Sequence, residues 1–83
     1  MTVTMIKKEL VKLNGKQVRI SNECQIIEGL LVIKTEQKAM NNNCDYKYFS
    51  WVVEGVMISN GVDFGKGKWG MSFKDITKIE VIA

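Results

Sequence analysis

Histidine and proline are absent from this chain of 83 residues, and cysteine is scarce. Without histidine, the chain lacks the commonest general base and the commonest metal ligand. Cys24 and Cys44 lie far apart in the sequence, in neither a Cys-x-x-Cys motif nor a dense disulfide pattern. Two isolated cysteines without histidine do not make a standard zinc site. We interpret them as ordinary thiols, with a disulfide or an intersubunit contact as the alternative.

Targeting segments and phosphate-binding loops are also missing. No apolar run approaches the ~18–20 residues of a membrane span, and the amino end lacks the apolar core of a secretory signal. We therefore expect a cytoplasmic protein. The glycines of residues 65–70 fit neither the Walker nor the dinucleotide spacing, and a pairing of Glu54 with Asp63 across a hairpin is expected to be solvated. We predict no enzyme activity, no cofactor and no metal ion.

What is present is enough apolar material for one thin core. Hydrophobic residues make up 46% of the chain, so we expect a single domain over residues 1–83, with a homo-oligomer as a further possibility. The formal net charge is only +3, which permits an anionic partner without requiring one. The abundance of lysine over arginine, together with asparagine and isoleucine, is typical of an AT-rich genome. We expect a low-GC bacterium or one of its phages.

The spacing of apolar residues predicts one helix and then short strands. Residues 4–13 carry apolar side chains at i, i+4 and i+7, as one face of an amphipathic helix does, and a strand beginning at Val3 is the alternative. Residues 26–33 are apolar on both alternating faces, with Gly29 near the start. Such a pattern favours a bent strand in a very small barrel.

Local turn signals divide the rest of the chain. Residues 36–45 contain three consecutive asparagines and are predicted to be a polar loop. Asn60-Gly61 predicts a type I′ hairpin turn, and residues 75–77 predict a single helical turn. We predict strands over residues 16–20, 26–35, 48–58, 62–73 (interrupted at 65–68) and 78–82.

In this order of elements the chain resembles the Sm-like and SH3-like small β-barrels. Residues 15–20 and 28–32 look like the opening of the first Sm motif, where a helix leads into a strand and a glycine bends the next strand. Met40-Asn41 is similar to the Met-Asn of that family's nucleotide-contacting loop, whereas the Arg-Gly step of the second motif is absent from residues 73–77. The resemblance implies a mainly β fold: a five-stranded barrel preceded by a short α-helix. It also implies two classes of partner, nucleic acid or a protein on which a small inhibitor docks.

One cluster of candidate contact residues lies in the glycine-rich segment. Residues 65–70 contain three glycines, together with Lys66, Lys68 and Trp69. Positive charge, flexible backbone and a stacking ring suit phosphate and base contacts. The alternative is a β-bulge with solvated lysines and with Trp69 in the core, and for Trp69 we favour that alternative.

Further candidates lie between the predicted second and third strands and on the first strand. Alternating aromatic and basic side chains after the asparagine loop suit base stacking or a protein partner, or else they cover a strand end. A strand arginine between apolar residues is expected to face outward without a special role. These candidates are Tyr46, Lys47, Tyr48, Asn41, Asn42, Asn43 and Arg19.

The sequence leads to two function classes. The first is a non-enzymatic binding module for an anionic partner, either single-stranded nucleic acid or a nucleotide-like ligand, suggested by the lysines and the two clusters. The second is a phage- or prophage-encoded regulator that docks on a host enzyme or defence complex, suggested by small size, absent chemistry and surplus apolar residues. A structural subunit of an oligomer is the third possibility.

Overall fold

The chain folds into one helix and a single antiparallel sheet, in a computed structural model that describes residues 2–40 and 43–82, with side chains for residues 2–35 and 49–82. The elements are α1 (Val3–Lys12), β1 (Gln17–Ser21), β2 (Gln25–Met40), β3 (Asn43–Ser59), β4 (Val62–Trp69), a 3₁₀ turn (Phe73–Asp75) and β5 (Lys78–Val81). The mainly β fold with an N-terminal helix is thus confirmed. The strand order is β4-β3-β2-β1-β5, so within the described residues β4 and β5 lie at opposite edges and the sheet is not closed.

The amino-terminal helix forms as predicted, so the alternative of a strand beginning at Val3 is wrong. Thr2 caps it, because its hydroxyl oxygen accepts a hydrogen bond from the Met5 amide at 3.2 Å. Ile6 and Leu10 project from one side of the helix and are 1% and 0% exposed. The helix therefore covers one face of the sheet.

A small apolar core fills the space between helix and sheet. The buried residues of β2 and β3, Ile27, Leu31 and Val53, lie on one face of the sheet, because Leu31 pairs with Val53 and Ile27 is four residues from Leu31. We call this face, which is turned toward the helix, the inner face and the opposite one the outer face. Full burial of one such aliphatic side chain contributes about 1.5–3 kcal/mol. The buried residues are Ile6, Leu10, Val18, Ile20, Ile27, Leu31, Val53 and Ile76.

Strands β2 and β3 are longer than the sequence suggests, and they form a two-stranded arm. The pairing of β1 with β2 ends at Leu30, and that of β4 with β3 ends at Val53. Beyond these points residues 32–40 and 43–52 pair with each other, with a register shift between Glu36 and Gln37. The predicted loop over residues 36–45 is therefore wrong for its described backbone, because cross-strand pairing overrides the weak β propensity of the polar residues. Asn41 and Asn42 lie outside the described residues.

The second hairpin is confirmed, but the end of its return strand differs from the prediction. Asn60 and Gly61 both have positive φ, 50° and 77°, as a type I′ turn requires. β4 runs continuously to Trp69, so the predicted interruption at residues 65–68 and the continuation through residue 73 are both wrong. Phe73 instead begins the 3₁₀ turn, two residues earlier than the predicted helical turn, and its ring packs 5.8 Å from that of Phe49.

Candidate groove on the outer face of the sheet

Three glycines from three different strands lie side by side in the sheet. Gly29 pairs with Gly55, and Gly55 pairs with Gly67. A Cβ atom on Gly29 would lie 2.3 Å from the Glu54 carbonyl oxygen, and one on Gly55 would lie 1.9 Å from the Glu28 carbonyl oxygen. The strands therefore approach each other more closely than any side chain permits. We call Gly29, Gly55 and Gly67 the glycine row.

An open groove of about 740 Å³ lies along the glycine row on the outer face. The side chains around it come from positions that alternate with inward-facing ones on β2, β3 and β4, such as Glu54 beside buried Val53. This volume lies within the range of small-molecule sites. The charged and polar residues that line the groove are Gln17, Glu28, Glu54, Lys66 and Lys68.

The charges at the groove are unequally paired. Glu28 accepts a hydrogen bond from Arg19 Nε at 2.6 Å, and this bond raises the pKa of the Arg19 guanidinium further above its ordinary value. Lys68 Nζ lies 3.9 Å from Glu54 Oε1, with the two side chains 74% and 43% exposed, which is a weak solvated pair. Lys66 forms no ion pair with any residue in the described part of the chain. The groove therefore presents Lys66 as an uncompensated positive charge beside a loosely held Lys68.

Trp69 lies on the opposite, inner face of the same strand. It is half-buried against the core, and its Nε1 donates a hydrogen bond to the Gly55 carbonyl oxygen at 3.3 Å. Its ring would lie 3.1–3.3 Å from a Cβ atom on Gly67. The structure thus brings the indole beneath the glycine row, while Lys66 and Lys68 flank the groove on the other side.

Phe64 is an exposed aromatic residue that the sequence did not single out. Its side chain is 55% exposed, and its ring meets that of Trp69 at 6.4 Å in an edge-on arrangement. Asp63 pairs with Ile58 and Gly65 pairs with Met57, so Phe64 is the extra residue of a β-bulge. The Asp-x-Gly spacing around it was the available signal, since such residues favour bulges and turns.

The remaining candidates are not gathered at the groove. The backbone of Tyr46 and Tyr48 lies in the arm, and Tyr48 is seven residues from Gly55, about 23 Å along an extended strand. Arg19 lies on the outer face of β1, bound to Glu28 as described above. The other candidates of this segment cannot be placed at a site, because the structure does not describe the parts on which they depend. It describes the backbone but not the side chains of Tyr46, Lys47, Tyr48 and Asn43, and Asn41 and Asn42 lie wholly outside the described residues.

No group of side chains suited to holding a metal ion is found among the residues that the structure describes. Asp63 lies opposite Ile58 and Glu54 lies opposite Lys68, so the two carboxylates are not the cross-strand pair considered from the sequence. Within the described range, no three acidic or cysteine side chains come close enough together to hold a metal ion. Cys24 is exposed and carries a free thiol, whereas the side chain of Cys44 lies outside the described residues.

Comparison of the chain with family models, with curated proteins and with solved structures finds no match. Among the residues that the structure describes, no helix has the length and apolar character needed to cross a membrane.

Proposed function

We propose that this protein is a non-enzymatic binding module that holds an anionic partner, single-stranded nucleic acid or a nucleotide-like ligand, in the groove along the glycine row. The observation that carries the proposal is the position of Lys66 and Lys68. Both line the same groove, and Lys66 has no acidic partner among the described residues. Phosphate groups carry the negative charge that would neutralise these two ammonium groups.

The geometry around the lysines supports the same proposal. Lys66 and Lys68 are two residues apart on one strand without a register shift between them, so their backbone positions are about 7 Å apart and their side chains share a face. The arginine nearby is neutralised by Glu28, and the weak contact of Lys68 with Glu54 is readily exchanged for a phosphate. The attraction for a phosphate therefore comes mainly from Lys66 and Lys68 on β4.

Fluorescence anisotropy with labelled single-stranded oligonucleotides and a fluorescent nucleotide tests the proposal at low salt. Binding should weaken steeply as salt rises. The double variant Lys66→Gln/Lys68→Gln should bind more weakly and reduce the slope of log K against log[salt] by about 2. Lys8→Gln/Lys74→Gln is the matched control, since it removes the same charge from exposed positions on α1 and the 3₁₀ turn. If the wild type binds no oligonucleotide and no nucleotide at low salt, the proposal is wrong.

The alternative proposal is a protein-docking regulator encoded by a phage or prophage of a low-GC bacterium and acting in the cytoplasm. It is favoured by apolar side chains that remain exposed on both edges of the open sheet: Val62, Phe64, Val81 and Ile82. An Sm-like assembly, in which copies of the chain form a homo-oligomer, is compatible with the same unpaired edges. Native mass spectrometry of protein purified from its own host separates these cases by the mass of the complex. A monomer without a stoichiometric protein partner contradicts both.

A further inference from the structure

The edge strand β4 presents positively charged side chains on the outer face of the sheet and an aromatic contact toward the inner face. Lys66 and Lys68 lie on the outer face beside the groove, whereas Phe64 contacts Trp69, whose ring lies on the inner face. We propose, building on the function proposed above, that the partner is single-stranded nucleic acid running along the β4 edge, with one base stacked on Phe64 and successive phosphates at Lys66 and Lys68.

Phe64 is held in place although it is not buried. The Asp63 side chain accepts a hydrogen bond from the Gly65 amide at 2.7 Å, and Gly65 has a φ of 78°, a conformation that favours glycine. This turn supports the bulge at Phe64, and the Phe64 ring lies edge-on to that of Trp69 at 6.4 Å. A large aromatic side chain that is 55% exposed and packs on a second ring provides a stacking platform for a base.

The charges on β4 argue against a second protein strand at this edge. Lysines on an edge strand disfavour pairing with another strand, and β4 places Lys66 and Lys68 there with only one weak acidic contact between them. The same lysines attract a polyanion. The unpaired edge therefore suits a phosphate backbone better than a peptide.

The separation of the contacts argues for an oligomer of nucleotides over a free nucleotide. Phe64 and Lys68 are four residues apart across the bulge, at most about 13 Å along the strand. A base on Phe64 with separate phosphates at Lys66 and at Lys68, about 7 Å apart, matches the repeating backbone of a nucleotide chain. Sequence preference is expected to be slight, because every base has a face that can stack.

Anisotropy with single strands of about 12 nucleotides, as oligothymidine and as oligouridine, tests this inference. The variant Phe64→Leu keeps an apolar side chain but removes the ring, and should bind about tenfold more weakly than the wild type. Phe64→Tyr keeps the ring and should stay within about twofold. Met5→Ala is the matched control, since Met5 is an apolar side chain that is 56% exposed on α1, away from the β4 edge. The DNA and RNA probes decide which single strand is preferred.

A second measurement leaves Phe64 unchanged. In the Trp51→Phe background, Trp69 is the only remaining tryptophan, because the chain contains two. Since its ring lies 6.4 Å from that of Phe64, a base stacked on Phe64 should quench its fluorescence in a saturable way. Saturable binding by anisotropy without any quenching would overturn the stacking inference.

The outcomes separate this inference from the proposed function. If Phe64→Leu binds like the wild type while Lys66→Gln/Lys68→Gln binds weakly, Phe64 does not stack and the groove proposal survives. If the wild type binds the fluorescent nucleotide but neither oligonucleotide, the inference fails and the groove proposal again survives. If neither kind of probe binds, both are wrong.

Discussion

Replacing Gly55 by alanine should destabilise the fold strongly, although the change adds a single methyl group. The new Cβ atom would lie 1.9 Å from the Glu28 carbonyl oxygen and 2.8 Å from the Gly29 Cα atom. Both of these atoms belong to backbone, so no side-chain rotation relieves the contact. Strands β2 and β3 would have to move apart at the glycine row.

The magnitude follows from two costs. Forcing an extra carbon into a packed site costs about 1–3 kcal/mol, and loosening a backbone hydrogen bond between the strands adds about 1 kcal/mol. We therefore expect Gly55→Ala to lower the free energy of unfolding by about 2–4 kcal/mol. That is a large part of the stability of a small domain, about 0.05–0.15 kcal/mol per residue.

Urea unfolding followed by tryptophan fluorescence measures the effect. With a slope of about 1 kcal/mol per molar urea, the midpoint of Gly55→Ala should fall by about 2 M or more. Gly70→Ala is the control, since its Cβ would meet only the Trp51 carbonyl oxygen at an ordinary 3.7 Å, and it should change stability by less than about 0.5 kcal/mol. A Gly55→Ala midpoint equal to that of Gly70→Ala would refute the close approach of the strands.

Three further predictions concern the core, the indole and the free thiol. Leu10→Ala should cost about 3 kcal/mol in urea unfolding because Leu10 is fully buried, and an equal effect of Val11→Ala, 36% exposed on the same helix, would contradict the helix orientation. Trp69→Phe should cost about 1 kcal/mol by losing the hydrogen bond to the Gly55 carbonyl oxygen, and no loss in thermal or urea unfolding would show that this bond is absent. In the native protein, Cys24 should react rapidly with an aromatic disulfide reagent because it is exposed; Cys24→Ser should remove one fast-reacting thiol, and an unchanged trace would contradict its exposure.

The features that were predicted correctly from the sequence are determined by residues close together in the chain. The helix follows from apolar spacing, and the turn at Asn60-Gly61 follows from the positive φ angles that these two residues tolerate. The predicted continuation of the fourth strand through residue 73 was wrong. Trp69, Met71 and Phe73 are apolar at alternate positions, as in a strand, but this pattern also arises when successive residues fold back onto one core. Met71 and Phe73 pack against the core from outside the sheet, and Phe73 does so from a 3₁₀ turn.

The groove and the arm depend on which strands pair, and that was not visible in the sequence. Gly29, Gly55 and Gly67 come from three strands, and only the register of β2, β3 and β4 places them in one row. The glycine-lysine segment was identified from sequence, but the separation of Lys66 and Lys68 from the Trp69 ring requires the alternation of a continuous β4. The arm was missed because its polar residues are held by strand pairing, which local propensity does not report.

The most direct test of the groove is an NMR titration of the ¹⁵N-labelled protein with a single-stranded oligonucleotide at low salt. The amide signals of Lys66, Gly67 and Lys68, together with Gly55 on the neighbouring strand, should shift most. Signals of the helix should stay in place, because α1 covers the opposite face of the sheet. Shifts confined to the arm around Tyr46 and Tyr48, or no shifts with the oligonucleotide and none with a nucleotide titrated in the same way, would contradict a binding site along the glycine row.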